Sequence, residues 1–194
     1  MKKGENKSLY LPEMERDSCG IGFVANLKGV KSHEVVEDAL IMLHNMEHRG
    51  ACGCDPDTGD GAGILIQVPH EFFADECRKL DIDLPEYGQY GVGMIFFPVA
   101  ERVREACRQR LYEIADRLDL EILGFRKIPV NNTTIGESAK AVELHYEQIF
   151  IKHKKFIDQS TLERKLFVFH MHSTHSIGST SRGRAIEGNN YEFY

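Results

Sequence analysis

Five glycines and a proline fall within the fourteen residues from Gly50 to Gly63: Gly50-Ala51-Cys52-Gly53-Cys54-Asp55-Pro56-Asp57-Thr58-Gly59-Asp60-Gly61-Ala62-Gly63. Glycine weakens helix and strand alike, and Pro56 lacks the amide proton that either would use. The stretch is therefore predicted to be a loop, and one whose small residues let its backbone come close to a neighbour without side-chain clash. What flanks it is regular. Ser32 is a plausible N-cap and Glu34 suits the first turn of a helix. Val35, Val36, Ala39, Leu40, Met42, Leu43 and Met46 then recur at helical spacing. After the loop, Ala62 to Val68 is apolar and β-branched, the pattern of a strand. Before the helix, Cys19 to Asn26 also reads as a strand, with Ile21, Phe23 and Ala25 alternating. Lys28-Gly29 signals the turn between them. The order strand, helix, glycine-rich loop, strand would carry His48-Arg49-Gly50 and the loop to the start of the first strand.

That start is chemically distinctive. A cysteine that becomes residue one has a free α-amino group beside its thiol. The reference pKa values are about 7.7–8.0 for the amine and about 8.5 for the thiol. The two are matched for proton transfer near neutral pH, so the terminus activates its own side chain. Cys19-Gly20 is such a boundary, if the eighteen residues before it are removed. Those residues are rich in charge and have no apolar core of useful length, so they are not a secretory signal. They read as a propeptide or a disordered tail.

The rest of the chain mixes helices and strands without a strict βαβ rhythm, which predicts an α+β fold. A short helix is expected over 69–80, a strand over 91–97 ended by Pro98, and an amphipathic helix over 99–118. The last has Val103, Cys107, Leu111, Ile114 and Leu118 on one face. A strand over 120–130, a turn at 131–134, a short helix over 137–143 and a strand over 146–151 follow. His170, His172 and His175 lie beside the Ser/Gly/Thr-rich stretch 173–183 and read as solvated loop. Alternation points Arg126 outward to solvent, and Arg182 and Arg184 read as solvated. Cys77 and Cys107 read as apolar packing on helices.

Cys19-Gly20-Ile21-Gly22-Phe23-Val24, followed by His48-Arg49-Gly50 and the Cys52-to-Gly63 run, resembles the class II glutamine amidotransferase domain of glutamate synthases. Simpler amidotransferases of the class share the Cys-Gly-Ile start, but the expanded loop is similar to glutamate synthase in particular. The likeness continues through Ile66-Gln67-Val68-Pro69-His70-Glu71-Phe72-Phe73, Gly91-Val92-Gly93-Met94, Leu123 to Val130, Glu147 to Ile151 and Glu163 to Phe167. It fades from about Phe169 to Asn190.

The resemblance implies an N-terminal-nucleophile hydrolase fold, a four-layer α/β/β/α sandwich that this chain would hold incompletely. Residues 1–18 would be the propeptide and 19–194 the N-terminal part of the amidotransferase domain. Cys19 would be the nucleophile that hydrolyses the amide of L-glutamine. Arg49 and Gly50 would pack near it, and the turn with Asp60 and Gly61 would support it. The ammonia would serve glutamate synthesis from 2-oxoglutarate. The partners implied are the remainder of the large subunit and an electron-donating small subunit. FMN and an iron–sulfur cluster are implied for the full-length enzyme, and no cofactor for this chain. The family's carboxylate-binding arginine and oxyanion donors belong to motifs later than this chain reaches. His172-Ser173-Thr174 echoes the first of these without its arginine. A lost oxyanion donor costs about 2.7–4 kcal/mol of transition-state stabilisation. The chain alone is thus expected to show little or no glutaminase activity.

Two readings compete at the same residues. His44 and His48, one helical turn apart, with Cys52 and Cys54 would make a tetrahedral zinc set, but Cys-x-Cys is tighter than the usual knuckle. Gly59 to Gly63 resembles a phosphate loop, but it precedes a strand instead of opening a helix, and Asp60 would repel phosphate. Two further functions remain: an inactive fragment or interaction module, and an amidotransferase serving another acceptor, which the expanded loop argues against. The net charge of −6 argues against nucleic acid or an acidic membrane surface as partner. No stretch approaches the roughly 20 apolar residues of a membrane span. Five irregularly spaced cysteines fit a reducing cytoplasm.

Overall fold

The computed structural model describes residues 20–46, 57–59, 61–178 and, by backbone alone, 192–193. The expected 1–18 tail lies outside the described residues. The chain divides into two units, Met1–Ile66 and Gln67–Tyr194.

In the first unit, the expected strand over 19–26 does not form: residues 20–26 have no ladder partner and no regular structure. Apolar alternation specifies a face, but a strand also needs a neighbour to accept its hydrogen bonds. Asn26 closes a turn. Its side-chain oxygen accepts the backbone N–H groups of Lys28 (2.9 Å) and Val30 (3.4 Å), and its carbonyl accepts that of Gly29 at 3.0 Å. Gly29 has φ +67°, a value glycine adopts without steric cost. Helix α1 (His33–Asn45) follows, capped by an extended Ser32 whose hydroxyl makes no capping bond. The helix expected from the 35–46 periodicity is therefore present, yet it buries no residue. The strand expected over 62–68 is also absent, and residues 61–69 are irregular.

The second unit is built differently. It contains α2 (His70–Arg78), β1 (Tyr90–Phe97), α3 (Glu101–Arg117), β2 (Leu120–Lys127), α4 (Glu137–Ala141), β3 (His145–His153), α5 (Gln159–Gly178) and β4 (Glu192–Phe193). The strands form one antiparallel sheet in the order β2-β3-β1-β4. The pleat of β3 sends Ile149 and Ile151 to one face and Phe150 to the other. On the first face, Ile149 and Ile151 join Ile95, Phe97 and Leu120 beneath Cys107, Leu111, Ile114 and Ala115 of α3 and Leu162, Phe169 and Ile177 of α5. On the second, Phe150 and Tyr90 pack with Phe73 and Cys77 of α2, flanked by Ile82, Leu84, Val92 and Leu123. Each such large apolar side chain contributes about 1.5–3 kcal/mol when fully buried.

Close approach sets the position of α5. A Cβ at Gly91 would overlap Leu166 Cδ1 and lie 3.0 Å from its Cδ2. Lys165 of α5 donates to the Leu118 carbonyl at 2.7 Å, satisfying the C-terminal end of α3 where Asp119 turns the chain with φ 59°.

Two expectations are corrected here. Residues 169–178 are the second half of a 20-residue helix and not a loop. Ser173 is fully buried, and Ser176 accepts a hydrogen bond from Arg110 Nε of α3 at 2.7 Å. Small hydroxyl residues serve packing there. Arg126 does not point into solvent: it is 9% exposed, because the outward face of β2 is covered by α2.

Candidate active site

The residues that carry the sequence argument belong to the first unit. Cys19, Arg49, Gly50 and Asp60 lie outside the described residues. Gly61 is described. It is exposed, and a Cβ built on it would meet nothing within 4 Å. Gly20 to Val24 run directly on from Cys19, and Gly22 meets Met42 of α1: a Cβ at Gly22 would overlap Met42 Sδ and lie 2.9 Å from its Cε. The supporting side chains expected around Cys19 are thus not brought together within the described residues.

His44 sits in the last turn of α1, while His48, Cys52 and Cys54, the other members of the zinc set, lie outside the described residues. Among the described residues no group of three or more His, Cys, Asp or Glu side chains could hold a metal ion. No described helix is long and apolar enough to cross a membrane.

The described cysteines are poor nucleophiles. Burial pushes the Cys107 thiol up to about 11 and raises that of Cys77. Neither is a thiolate near neutral pH, and attack requires the thiolate. They also sit in separate apolar clusters on opposite faces of the sheet, so they cannot ligate one iron–sulfur cluster between them.

The second unit holds three polar clusters that no sequence motif marks. Glu147, whose side chain is 5% exposed, takes Arg108 Nη2 at 2.5 Å and His145 Nε2 at 2.7 Å on a single oxygen. The other oxygen, Oε2, is buried without a protein partner. Arg108 lies 5.6 Å from the centre of the Phe97 ring and 5.4 Å from that of Phe125, a cation–π contact on two sides. On the opposite face Arg126 donates to Glu76 Oε2 from Nε (2.9 Å) and Nη2 (2.5 Å), and to Gln148 Oε1 at 2.9 Å. Hydrogen bonds from Lys79 and Arg126 hold the Glu76 carboxyl below its usual range. Arg126 also stacks 5.4 Å over Phe72, so it ties both ends of α2 to the sheet. At the start of α2, His70 Nδ1 lies 3.0 Å from the Tyr90 hydroxyl, and burial pushes the Tyr90 phenol up to about 12. These groups hold helices to strands. No long-range pairing of this kind can be read from single positions, because its signal is spread over residues 20 to 50 positions apart.

The chain belongs to the class-II glutamine amidotransferases, whose family model matches residues 19–191. Among curated relatives, it is 43% identical over 163 residues to the glutamate synthase [NADPH] large chain of Bacillus subtilis, covering 84% of this chain and 11% of the relative. It is 40% identical over 154 residues to ferredoxin-dependent glutamate synthase 2 of Synechocystis, covering 79% and 10% respectively. It is 38% identical over 179 residues to glutamate synthase [NADH] of Schizosaccharomyces pombe, covering 89% and 8%. The chain thus spans about a tenth of the length of these relatives. The likeness to glutamate synthases read from the 52–63 loop is borne out.

Proposed function

We propose that this chain carries the nucleophile of a glutaminase that feeds ammonia to glutamate synthesis. The observation that carries the reading is the family match, which begins at residue 19, the cysteine singled out for its chemistry. With Ser18–Cys19 cleaved, the new α-amine takes the thiol proton. The thiolate attacks the amide carbon of glutamine, and the carbon–nitrogen bond breaks as the amine returns that proton to the leaving ammonia. Water then adds to the thioester, the carbon–sulfur bond breaks, and glutamate leaves. Arg49, Gly50, Asp60 and Gly61 are assigned as supports of this centre.

The four-layer sandwich belongs to the same proposal. Helices α3 and α5 cover one face of the described sheet. The other face carries Met94 and the Phe96–Tyr146 edge-to-face pair, 5.2 Å apart, beyond the cover of α2, and a second sheet would stack there. FMN and an iron–sulfur cluster, which the likeness implies for a full-length enzyme, would be held by other parts of such a polypeptide. No step above runs through them. Nor does this domain select an electron donor: relatives named for NADPH, NADH and ferredoxin match it at 38–43% identity.

The test is glutamine hydrolysis by the full natural polypeptide, measured as ammonia release. Activity that disappears in the Cys19→Ala variant supports the reading. Undiminished activity in that variant overturns it. The complete absence of ammonia release from the unsubstituted protein would favour an interaction module.

A further inference from the structure

Helices α3 and α5 cover the same face of the sheet, yet their outer sides differ. Outward from α3 point Glu101, Arg102, Glu105, Gln109, Glu113 and Asp116, all exposed, the pattern of a solvated face. Helix α5 is apolar on two opposite sides. Leu162, Phe169 and Ile177 are buried in the core, while Phe167, Val168 and Met171 are 64%, 37% and 50% exposed. These three lie three, four and seven residues after Arg164, so the four side chains share one stripe. The stripe begins in an open groove of about 450 Å³ lined by Ser160, Glu163, Arg164, Phe167 and Val168. A helix that is apolar all round belongs in an interior.

The charge along the stripe is one-sided. From Arg164 to Gly178 the helix has no Asp or Glu, in a chain of net charge −6. Arg164 donates to two hydroxyls, Ser160 Oγ at 3.1 Å and Thr161 Oγ1 at 3.0 Å, and pairs with no carboxylate among the described residues. Glu163 beside it accepts from Gln159 Nε2 at 2.9 Å. Two copies packed through this stretch would bring each Arg164 only that engaged Glu163, so a second copy fits the surface poorly. The fitting occupant is apolar and carries a carboxylate of its own. The relatives are about ten times as long as this chain, and most of their surface lies in other parts of the polypeptide.

We propose that the outer side of α5 is a docking surface within the full-length polypeptide: a segment from another part of it lays apolar side chains on Phe167, Val168 and Met171 and presents a carboxylate to Arg164. The inference rests on the reading of this chain as one domain of a longer synthase polypeptide, and not on the role of Cys19. The apolar stripe supplies the buried area. A guanidinium takes a carboxylate through paired hydrogen bonds of fixed geometry, so Arg164 sets the register of the segment.

The test is hydroxyl-radical footprinting of the full natural polypeptide, read residue by residue from peptide masses and corrected for the intrinsic reactivity of each side chain. Covering a half-exposed side chain as an interface core does lowers its exposed area about tenfold. Phe167 and Met171 are therefore expected to oxidise about tenfold more slowly than Tyr112, which is 42% exposed on the charged side of α3. Arg164→Glu, at an exposed position where the fold is undisturbed, is expected to return Met171 to the rate of Tyr112. Arg164→Lys keeps the charge and offers an amine, which a carbodiimide should join to an Asp or Glu of the same polypeptide outside residues 1–194. Oxidation of Met171 in step with Tyr112, or protection that persists in Arg164→Glu, overturns the proposal. A cross-link only to a second copy or to another subunit, or none at all, also overturns it. Glutamine hydrolysis that survives Cys19→Ala refutes the nucleophile and leaves each of these outcomes as it stands.

Discussion

Residues 20–66 and residues 67–178 solve different problems. In the first stretch no described residue is buried, and α1 exposes Leu40 and Ile41 by 49% and 58%. In the second, two apolar clusters clasp a sheet between helices, and even Arg126 and Glu147 are buried. The residues expected to do chemistry, Cys19 and those from Arg49 to Gly61, belong to the first unit and none to the second. Chemistry of this kind needs backbone free to approach a substrate, which glycine supplies and a packed core does not. The stability that the second unit derives from burial therefore need not be spent at the reacting residues.

The comparison is broken most directly by moving the effects apart. Cys19→Ala is expected to reduce glutamine hydrolysis by at least about 10³-fold while the melting temperature stays where it was. A parallel fall in both would deny the separation. Glu147→Ala should do the reverse. It removes the buried carboxylate that Arg108 and His145 share and leaves Arg108 only the 3.3 Å pair with the half-exposed Glu105, and is expected to cost about 3–5 kcal/mol in denaturant unfolding. Phe150→Ala, at a fully buried site, should cost a similar about 3–5 kcal/mol, whereas Leu40→Ala in the exposed helix should stay within about 0.5–1 kcal/mol. A Leu40 loss as large as that of Phe150 would mean that the first unit also relies on a core.

A further difference is in pH. The Cys107 thiol is raised from 9.0 to about 11 in the folded protein. An acid with a raised folded pKa contributes stability that is fully present below its unfolded value and is lost as pH rises through the folded value. Stability should thus decline between about pH 9 and 11, and Cys107→Val should flatten that slope. Glu76 and Asp158 are lowered, the first by bonds from Lys79 and Arg126, the second by bonds from Thr161. Their contribution is present above the ordinary carboxylate range and disappears as pH falls below it. Unfolding measured from pH 3 to 11 reads both limbs.

The sequence was most informative where one face of one element decided the outcome. Val103, Cys107, Leu111 and Ile114 announce α3 because a single apolar stripe faces a single sheet. No helix was expected over 159–178; past Phe169 the buried Ser173, and Ser176, which bonds Arg110 of α3, carry hydroxyls and so no apolar signal. Arg126 was misread because the alternation was right but the face it indicates is covered by α2. Strands over 19–26 and 62–68 were expected from side chains alone, and pairing partners are not a property of side chains. At the candidate site, the family could be read because Cys19-Gly20 and the 50–63 loop combine unusual residue types at short range. The Gly22–Met42 contact could not, since the two are twenty residues apart in sequence.

The central claim is that Cys19 becomes the amino-terminal residue and acts as the nucleophile. It is tested by treating the full natural polypeptide with an electrophilic glutamine analogue and mapping the adduct by peptide mass. The predicted result is a single modification on the sulfur of a peptide that begins at Cys19 with a free α-amine, formed in step with loss of glutaminase activity. An adduct on any other residue, or an active protein in which Ser18 and Cys19 are still joined, would contradict it.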